Sequence, residues 1–473
     1  RDVARVDAAL LGALGPGRQV ALTADLGPAE RYRRWLRVLR GEVRAVVGTR
    51  AAMFAPVVDL GLAVVWDDGD DLHAEPHAPY PHVREVLALR AHAAGSGLLL
   101  AGLAQTSEGA QLVATGWVRS LAAPRDVVRQ SAPRVRPADD DTELARDEAA
   151  HVARLPTLAW QTVRMALRTG PVLVQVPRAG YLPSVACARC RAAARCPHCA
   201  GPLALTSGHA IAHCRWCGRP AGRWRCAVCG GTGLRARVVG ARRTAEELAR
   251  AFPAVPVLTS GGAAVLATVG PKPAVVVATP GAEPVAADGY AAALLLDGWA
   301  LLDRPDLRAG EEALRRWMNA AALVRPATAG GDVVVLAGGD QPPVQALLRW
   351  DPVWYAEREL AERAELGFPP AARWAAVTGA AAGVEDFLTV LRSVGLPAHA
   401  QVLGPVPVSP VVVPARVAQP ETRAPAADVR ALVRVPLAEA TALSTALRTT
   451  QGLRTARKAA DPVRIRIDPM ELG

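Results

Sequence analysis

Long apolar runs are missing from this sequence, and so is a secretory signal. A membrane-spanning helix needs roughly 18–20 uncharged apolar residues, whereas the apolar segments at 294–296 and 333–336 are much shorter and predict buried strands. The chain opens with Arg1-Asp2-Val3-Ala4-Arg5, which lacks the apolar core of a signal peptide and an initiator Met. We therefore expect a soluble protein without a membrane partner, and this opening is consistent with a fragment or a mis-assigned start.

Lysine is almost absent, since only Lys272 and Lys458 occur among 55 basic residues. Together with the many Ala, Gly, Pro and Val residues, this bias is typical of a GC-rich coding genome. The net charge of +11 and the pI of about 9.8 favour polyanionic partners, because neutralised phosphates release counterions. The charge indicates a class of partner and does not locate a site.

Cysteine is confined to one short segment, where it forms four C-x-x-C pairs. Two residues between thiolates let both sulfurs of a tight turn point at one ion about 2.3 Å away, and tetrahedral Zn²⁺ needs two such turns. Four pairs therefore predict two structural zinc sites. Disulfides are disfavoured in a large chain without a secretion signal, and four pairs are too many for one redox dithiol. The predicted ligands are Cys187, Cys190, Cys196, Cys199, Cys214, Cys217, Cys226 and Cys229.

The spacing leaves three ways of sharing two ions: sequential, interleaved or nested. The 14 residues between Cys199 and Cys214 suit a zinc-ribbon hairpin, which favours the inner four cysteines as one site and the outer four as the other. Glycines directly or nearly after three of the pairs can take the positive φ that turns backbone N–H groups toward sulfur. These glycines are Gly201, Gly218 and Gly230.

Other side chains of the segment have two interpretations each. The arginines offset the negative charge that four thiolates leave on each zinc, or they face a phosphate backbone. The histidines are expected to be bystanders because eight thiols are available, and the tryptophans are candidates for base stacking, although packing against the ribbon is favoured. The residues are Arg189, Arg191, Arg195, Arg215, Arg219, Arg223 and Arg225; His198, His209 and His213; and Trp216 and Trp224.

The chain of 473 residues is long enough for about two to four domains. Alternating strand and helix patterns on both sides of the cysteines predict α/β lobes with parallel sheets, so that the cysteine segment is an insertion in the second lobe. Residues 131–145 have the composition of a linker. The strand patterns lie at 41–54, 60–68, 97–100, 171–176, 274–278 and 293–297, and the helical patterns at 83–94, 157–167 and 245–252.

From about Asp332 a further region begins, which we expect to form a separate small α+β domain. It contains a strongly charged helical pattern at 356–365 and a stretch rich in valine and proline at 402–415.

With these features in place, the chain resembles the PriA family, the superfamily 2 DNA helicases of replication restart. Each matching piece is weak alone, but their order around four C-x-x-C pairs is specific, and they run from near residue 1 to the end. The pieces are Gly48-Thr49-Arg50 with Phe54-Ala55-Pro56; Arg178-Ala179-Gly180-Tyr181; Asp306-Leu307-Arg308-Ala309-Gly310-Glu311; Glu357 to Arg363 with Gly367-Phe368-Pro369-Pro370; Leu403-Gly404-Pro405-Val406-Pro407; and Asp468-Pro469.

The resemblance implies two RecA-like helicase lobes with parallel sheets, a two-zinc insertion in the second lobe, and a small α+β C-terminal domain. It also implies the nested sharing of zinc, and a zinc module that takes part in strand separation and contacts primosome partners. The implied boundaries are 1–130 for an N-terminally incomplete first lobe, 131–150 for a linker, 151–184 and 233–355 for the second lobe, 185–232 for the zinc insertion, and 356–473 for the C-terminal domain.

The ATPase motifs of that family are not matched. No G-x-x-x-x-G-K-S/T occurs, although the family places it before residue 1. Trp66-Asp67-Asp68-Gly69 stands where the family has Asp-Glu-Glu-His, and Gly102-Leu103-Ala104-Gln105 where it has Gly-Ser-Ala-Thr. Residues 319–326 stand where it has Q-x-x-G-R-x-G-R, and only Arg325, out of register, could replace an arginine. A shifted Mg²⁺ ligand among Asp67, Asp68, Asp70 and Asp71 is the alternative to a solvated acidic turn, which we favour.

We therefore expect a cytoplasmic, nucleoid-associated protein that binds branched DNA and single-stranded regions, and recruits primosome and replisome proteins without helicase activity. No catalytic or nucleotide-binding residue is predicted, two Zn²⁺ ions are the expected cofactors, and ATP with Mg²⁺ is in doubt. One alternative is an active ATP-dependent 3′-to-5′ helicase whose nucleotide site is completed by sequence before residue 1. A second alternative is a zinc-ribbon adaptor that binds only proteins.

Overall fold

The computed structural model describes residues 2–138, 155–177, 185–190, 192–205, 211–214, 217–236, 241–302, 304, 306–408 and 428–470. The chain forms two compact units, one of residues Arg1–Trp117 with Glu357–Leu472 and the other of residues Val118–Ala356. Several residues singled out in the sequence lie outside the described parts: Arg178 to Tyr181, Arg191, His209, Arg215 and Trp216.

The amino-terminal part of the first unit contains two parallel strand pairs, β1 with β2 and β3 with β4, each backed by a helix. Val20 and Leu22 pack under α2, and Val65 packs against Val83 of α3. The helices are α1 (Asp2–Leu14), α2 (Pro28–Leu39), α3 (Val83–Ala94) and α4 (Ser107–Ala114), and the strands β1 (Gln19–Leu22), β2 (Ala45–Gly48), β3 (Leu62–Trp66) and β4 (Gly97–Ala101).

The strand expected at 41–54 is much shorter than predicted. β2 ends at Gly48, and a 3-10 helix follows at Arg50–Phe54. Gly48 allows the close approach of β1, because a Cβ at this position would lie 2.4 Å from the carbonyl oxygen of Leu22. The helix expected at 83–94 and the strand expected at 97–100 are confirmed as α3 and β4.

The second unit is built on a six-stranded sheet of order β11-β13-β6-β15-β16-β5, in which every pairing is parallel. Its helices are α5 (Arg125–Ser131), α6 (Thr157–Ala166), α7 (Ala241–Ala251), α8 (Gly298–Leu302), α9 (Ala309–Ala321) and α10 (Pro342–Arg349). The strands of the sheet are β5 (Arg134–Pro137), β6 (Val172–Gln175), β11 (Val257–Ser260), β13 (Val275–Ala278), β15 (Ala292–Leu295) and β16 (Asp332–Val335). Short strands β12 (Thr268–Val269) and β14 (Val285–Ala286) pair beside it.

The four central strands of this sheet are buried on both faces, as parallel strands between helices require. The predicted parallel α/β sheet is therefore confirmed. The stretch with linker composition, in contrast, begins with edge strand β5, and its residues from 139 onward lie outside the described parts. The arginines of β5 are held there by a carboxylate, because Arg134 and Arg136 both pair with Asp332 of the adjacent strand β16.

The cysteine segment is inserted between β6 and α7 as two nested antiparallel pairs. The outer pair joins β7 (Val185–Cys187) to β10 (Leu234–Ala236), and the inner pair joins β8 (Leu203–Ala204) to β9 (His213–Cys214). The cysteines of the two ends therefore meet at the base of the insertion.

The remainder of the first unit is an antiparallel sheet of order β18-β19-β17-β20 with two helices packed on one face. Its core includes Phe387, Leu391, Val433 and Leu443. The elements are α11 (Pro352–Leu366), β17 (Ala372–Gly379), α12 (Ala381–Val394), β18 (Gln401–Pro407), β19 (Val429–Pro436), α13 (Ala440–Ala456) and β20 (Val463–Ile467). The residues of α11 up to Ala356 belong to the second unit. A small α+β region with a charged helix is confirmed, but its expected start at about Asp332 is wrong. Asp332–Val335 is strand β16, which pairs with β15 and β5 in the parallel sheet of the second unit. Among the described residues, no helix has the length and apolar character to cross a membrane.

Candidate metal centres

The outer four cysteines converge on one point at the base of the insertion. The sulfurs of Cys187, Cys190, Cys226 and Cys229 lie within 4.8 Å of one another. Cys187 Sγ is 3.5 Å from Cys229 Sγ, and Cys190 Sγ is 3.4 Å from Cys226 Sγ. Each of the two C-x-x-C pairs, Cys187 with Cys190 and Cys226 with Cys229, therefore contributes both of its sulfurs to the same group.

The inner four cysteines form a second group in the nested hairpin. The sulfurs of Cys196, Cys199, Cys214 and Cys217 also lie within 4.8 Å of one another. Cys196 Sγ is 3.8 Å from Cys217 Sγ, and Cys199 Sγ is 3.4 Å from Cys214 Sγ. Of the three possible sharings, the structure brings the cysteines together in the nested one.

These distances suit a tetrahedral metal and exclude disulfides. An ion about 2.3 Å from each of four sulfurs separates neighbouring sulfurs by about 3.8 Å, whereas a disulfide requires about 2.05 Å. All eight cysteines are free thiols. Each group can therefore hold one metal ion, and a set of four cysteine sulfurs is one that Zn²⁺ prefers.

A repeated backbone turn presents each pair of sulfurs. In all four turns the N–H of the first cysteine donates to the carbonyl oxygen five residues later, which closes the loop around the second cysteine. The bonds run from Cys187 to Ala192 (2.9 Å), from Cys196 to Gly201 (2.8 Å), from Cys214 to Arg219 (2.9 Å) and from Cys226 to Gly231 (2.8 Å). This repetition explains why the spacing C-x-x-C recurs four times.

The residue directly after the second cysteine takes the left-handed conformation in three turns. Gly218 and Gly230 have φ of 71° and 69°, as the sequence predicts. In the turn of Cys196 and Cys199 the prediction of Gly201 is wrong, since Ala200 has φ of 58°. The turn geometry decides the position, because the N–H of Ala200 must donate to the carbonyl oxygen of Cys196 (2.9 Å) whatever residue stands there.

Backbone amides stabilise negative charge on particular sulfurs. The N–H of Cys190 is the main cause that lowers the pKa of Cys187 to about 6, and the N–H of His198 likewise lowers the pKa of Cys196 to about 7. The N–H of Ala192 acts in the same direction on Cys190, but the sulfur of Cys229 and burial outweigh it and raise the pKa of Cys190 to about 12. In each group one cysteine thus ionises readily, and a bound cation is needed to stabilise the thiolate form of the others.

Trp224 anchors the module internally. Its side chain is buried, and its indole Nε1–H donates to the carbonyl oxygen of Arg195 (2.9 Å). It packs with Leu203 and Ala221, so the structural role favoured for this tryptophan is the one observed. Neither His198 nor His213 belongs to either group of four ligands.

The surface of the module is positively charged. The distribution of acidic residues in the sequence predicts this charge, although the motifs do not. From Ala149 to Ala245 the chain contains no Asp or Glu. The arginines of the module that the structure describes are all exposed: Arg189, Arg195, Arg219, Arg223 and Arg225. A surface of this kind suits a polyanion, because no neighbouring carboxylate in the sequence offsets the charge.

Comparison with known proteins gives the family. Residues 364–470 match the family described as Primosomal protein N C-terminal domain. The probable replication restart protein PriA of Mycobacterium leprae is 52% identical over 461 residues, which cover 96% of this chain and 69% of the relative. Its counterpart in Mycobacterium tuberculosis strain H37Rv is 53% identical over 464 residues, covering 96% and 70%. The chain belongs to the PriA family.

A solved structure of RecG bound to a three-way DNA junction shares 11% identity with this PriA family member, covering 76% of this chain and 38% of RecG at a TM-score of 0.35. At that score the likeness adds nothing to the assignment.

The carboxyl end of β3 carries Trp66-Asp67-Asp68-Gly69, which the sequence predicts to be the counterpart of the PriA family's acidic motif. Trp66 is 59% exposed. The expectation of a solvated acidic turn is wrong for Asp68, which is buried. Its Oδ2 accepts from Arg84 Nη1 and from Thr106 Oγ1, both at 2.8 Å. Asp70 accepts from the N–H of Leu72 (2.9 Å) and caps a short 3-10 helix.

The segment that matches the family's Gly-Ser-Ala-Thr follows β4 at the same edge of the strand pair. Trp66 is in register with Ala101, and a Cβ on Gly102 would lie 3.6 Å from Asp67 Cα. The two predicted motif positions are therefore adjacent in space, as parallel strands place them.

Arg325 is held at the amino edge of the six-stranded parallel sheet. Its Nε donates to the carbonyl oxygen of Asp288 (2.9 Å) and its Nη1 to that of Thr169 (3.3 Å). Both carbonyls belong to loops that precede strands β15 and β6, at the amino edge of the parallel sheet. Ligands of such sheets bind at the carboxyl edge. In its own sheet, Arg325 therefore lies at the edge opposite to the one where ligands bind.

Proposed function

We propose that this PriA family member is a DNA-binding protein of the replication-restart primosome, which recognises branched or stalled forks and recruits replisome proteins without helicase activity. One observation carries the proposal: the two four-cysteine groups are complete, while the positions that match the family's ATPase motifs hold other side chains. The names of the two mycobacterial relatives support a place in replication restart.

In this proposal, two Zn²⁺ ions stabilise the inserted module. Four sulfurs complete the tetrahedral shell of Zn²⁺ and leave no position for water, so the ions would be structural. In the described part of the module the strands are short, and the buried residues are mostly alanines and the cysteines themselves. Metal binding, worth on the order of 10 kcal/mol in small zinc modules, would supply much of its folding free energy.

The exposed arginines of the module support DNA binding. Phosphate contacts made by arginine carry no sequence information, which suits a protein that recognises the shape of a fork. The same surface argues against a zinc-ribbon adaptor that binds only proteins, because its charge is not offset by any Asp or Glu between Ala149 and Ala245.

Three arrangements argue against ATP hydrolysis by the described residues. Trp66 stands where a Mg²⁺ ligand is expected, the buried carboxylate of Asp68 already binds Arg84, and Arg325 is bonded at the opposite edge of its sheet. The loss of an arginine finger alone costs about 10³ to 10⁵ in rate. We also propose that residues 1–130 form one RecA-like lobe and that residues 151–184 with 233–355 form a second, and that these lobes position DNA without nucleotide-driven motion.

Fork binding and ATP turnover, measured on the same preparation, test this function. Fluorescence anisotropy with a labelled fork should show affinity that falls steeply between about 50 and 200 mM salt and does not change when ATP and Mg²⁺ are added. Turnover with single-stranded DNA should remain far below about 1 per second. ATP-dependent strand separation would establish the helicase alternative, and an absence of fork binding at low salt would leave only the adaptor.

A further inference from the structure

A buried polar network extends from Asp68 across the first unit. The carboxylate of Asp68 bonds to Arg84 of α3 and to Thr106, the residue that caps α4. Arg84 is also 4.0 Å from the carboxylate of Glu108 on α4. Asp68, Arg84, Thr106 and Glu108 are all less than a tenth exposed. Two carboxylates and one guanidinium are thus enclosed where α3 and α4 meet the end of β3.

The network continues into the carboxyl-terminal part of the chain. Arg363 of α11 is 2% exposed, and its Nη1 donates to Ser107 Oγ (2.5 Å), next to Thr106 in sequence. Its Nη2 donates to Glu359 (2.9 Å), one helical turn earlier. We call the set Asp68, Arg84, Thr106, Ser107 and Arg363 the α3–α4–α11 network.

Two further contacts tie the C-terminal domain to α4 and to the loop that precedes α3. Gln111 of α4 donates its Nε2–H to the carbonyl oxygen of Pro370 (2.8 Å), immediately before β17. The guanidinium of Arg466 on β20 lies 4.5 Å from the centre of the Tyr80 ring. The pieces Glu357 to Arg363 and Gly367-Phe368-Pro369-Pro370, which resemble the family, therefore lie at this junction.

The guanidinium of Arg84 and the carboxylates of Asp68 and Glu108 stabilise one another in this buried position. Burial lowers the pKa of the Arg84 guanidinium, but the carboxylates of Glu108 and Asp68 outweigh it and leave the pKa raised. Removal of one partner would leave a buried charge without compensation, which is far more costly than the removal of an exposed ion pair. The cation beside the Asp68 carboxylate belongs to the protein itself, so a bound Mg²⁺ is not needed to balance it.

We propose that the α3–α4–α11 network is a lock that holds the C-terminal domain on the amino-terminal part of the first unit, and that it stays closed whether or not nucleotide and Mg²⁺ are present. Asp68 and Arg84 fix the amino end of α4, and Arg363 and Gln111 join that helix to α11 and to the entry of β17. The lock goes beyond the proposed function, since a chain without affinity for DNA would still carry it.

Hydrogen–deuterium exchange of the full chain, read by mass spectrometry, tests the lock. Arg363→Met should speed exchange in α4 and in residues 367–374 by on the order of 100-fold, because Ser107 and Glu359 lose a buried cation. Arg358→Met is the matched control on the same helix. Arg358 is about half exposed (48%) and pairs with Glu362 (2.9 Å), so its loss should leave both segments unchanged.

Asp68→Asn tests whether the network reaches across the unit. This substitution keeps the shape of the side chain and removes the charge opposite Arg84, and it should speed exchange in residues 367–374 by about tenfold or more. If only residues 62–84 respond, the ion pair is local and the lock does not exist. Exchange in strands β13 and β15 of the second unit should stay unchanged and reports that the variant has folded.

A milder variant keeps the test valid if Arg363→Met fails to fold. Ser107→Ala removes one hydrogen-bond acceptor from Arg363, and it should speed exchange in α4 and residues 367–374 together, by several-fold. Unchanged exchange in residues 367–374 would contradict the lock. ATP with Mg²⁺, added to the unaltered protein, should change exchange in neither segment, and a change in both would show that the junction responds to nucleotide.

Discussion

Cys187 Sγ lies 3.5 Å from Cys229 Sγ, although the two residues are 42 positions apart in the sequence. Cys187 is also paired with Leu234 across β7 and β10, so the outer sulfur group closes the base of the insertion. The inner group closes a hairpin contained within that loop. The outer ion closes the longer loop, and the entropic cost of closing a loop grows only slowly with loop length. Because the inner hairpin lies within that loop, the outer ion also supports the inner hairpin.

Serine substitutions should therefore affect the two groups unequally. Cys214→Ser with Cys217→Ser is expected to lower bound zinc from two ions to one per chain, because the outer hairpin keeps its own strands and turns. Cys226→Ser with Cys229→Ser should lower it below one, because the inner hairpin bonds to the outer strand through Ala194 and Val185 (2.9 Å). Elemental analysis of dialysed protein measures both values.

His198→Ala is the control for these variants. His198 contributes a backbone N–H to Cys196 Sγ (3.4 Å), which alanine retains, so two zinc ions should remain. Equal zinc loss in the inner and outer variants would contradict the nested dependence, and full zinc retention in either would show that its cysteines are not ligands.

Zinc affinity should rise with pH through the neutral range. At pH 7 the thiol of Cys190, with a pKa of about 12, is protonated and must lose its proton to bind metal, whereas Cys187, with a pKa of about 6, is already largely ionised. Binding therefore releases protons, and acidification below about pH 6 also protonates Cys187 and weakens binding further. Calorimetry in buffers of different ionisation enthalpy measures the protons released per zinc, and a value near zero at pH 7 would contradict this account.

The spacing of the cysteines predicted two groups of four but left three groupings open. The nested grouping was favoured, because one short hairpin can bring the inner four together locally. The left-handed residue was misplaced for the opposite reason. Gly201 looks favourable because it is a glycine. The left-handed residue of this turn is, however, the fourth after Cys196, which is Ala200 with φ of 58°. A count from the first cysteine of each pair would have found it.

Contacts between residues far apart in the sequence explain why the burial of Asp68 and the strand β5 were not predicted. Asp68 appears in a run of aspartates that has the composition of an exposed turn, yet it is buried by Arg84 and Thr106, which lie 16 and 38 positions away. β5 is hidden in a stretch of linker composition for a similar reason, because Arg134 pairs with Asp332 of a strand that is 198 positions away. The parallel sheet was predictable from its central strands β6, β13 and β15, which are short apolar runs.

The arginines of the zinc module should carry part of the salt dependence of DNA binding. Arg223→Gln with Arg225→Gln is expected to weaken fork binding at low salt and to reduce the salt slope by about 0.7 to 0.9 for each phosphate that the module no longer neutralises. Arg242→Gln with Arg243→Gln, on α7, is the matched control, because Glu246 and Glu247 offset those charges at 3.6 and 3.4 Å.

Anisotropy titrations of both double variants over the same salt series measure the effect, and the zinc content of each confirms that the module has kept its metal. An equal loss of affinity in the two variants would show that overall charge, and not the surface of the module, determines binding.

Arg325→Met should destabilise the second unit and leave ATP turnover at the level of the unaltered protein. The side chain joins the loops before β6 and β15 through the carbonyl oxygens of Thr169 and Asp288, so its loss is expected to cost about 1 kcal/mol in the free energy of unfolding. Arg168→Met, an exposed arginine in one of these loops, should cost less than about 0.5 kcal/mol. Urea denaturation gives both values. A large fall in ATP turnover with unchanged stability would instead place Arg325 in a working nucleotide site. A guanidinium that only joins two loops would affect turnover only through stability.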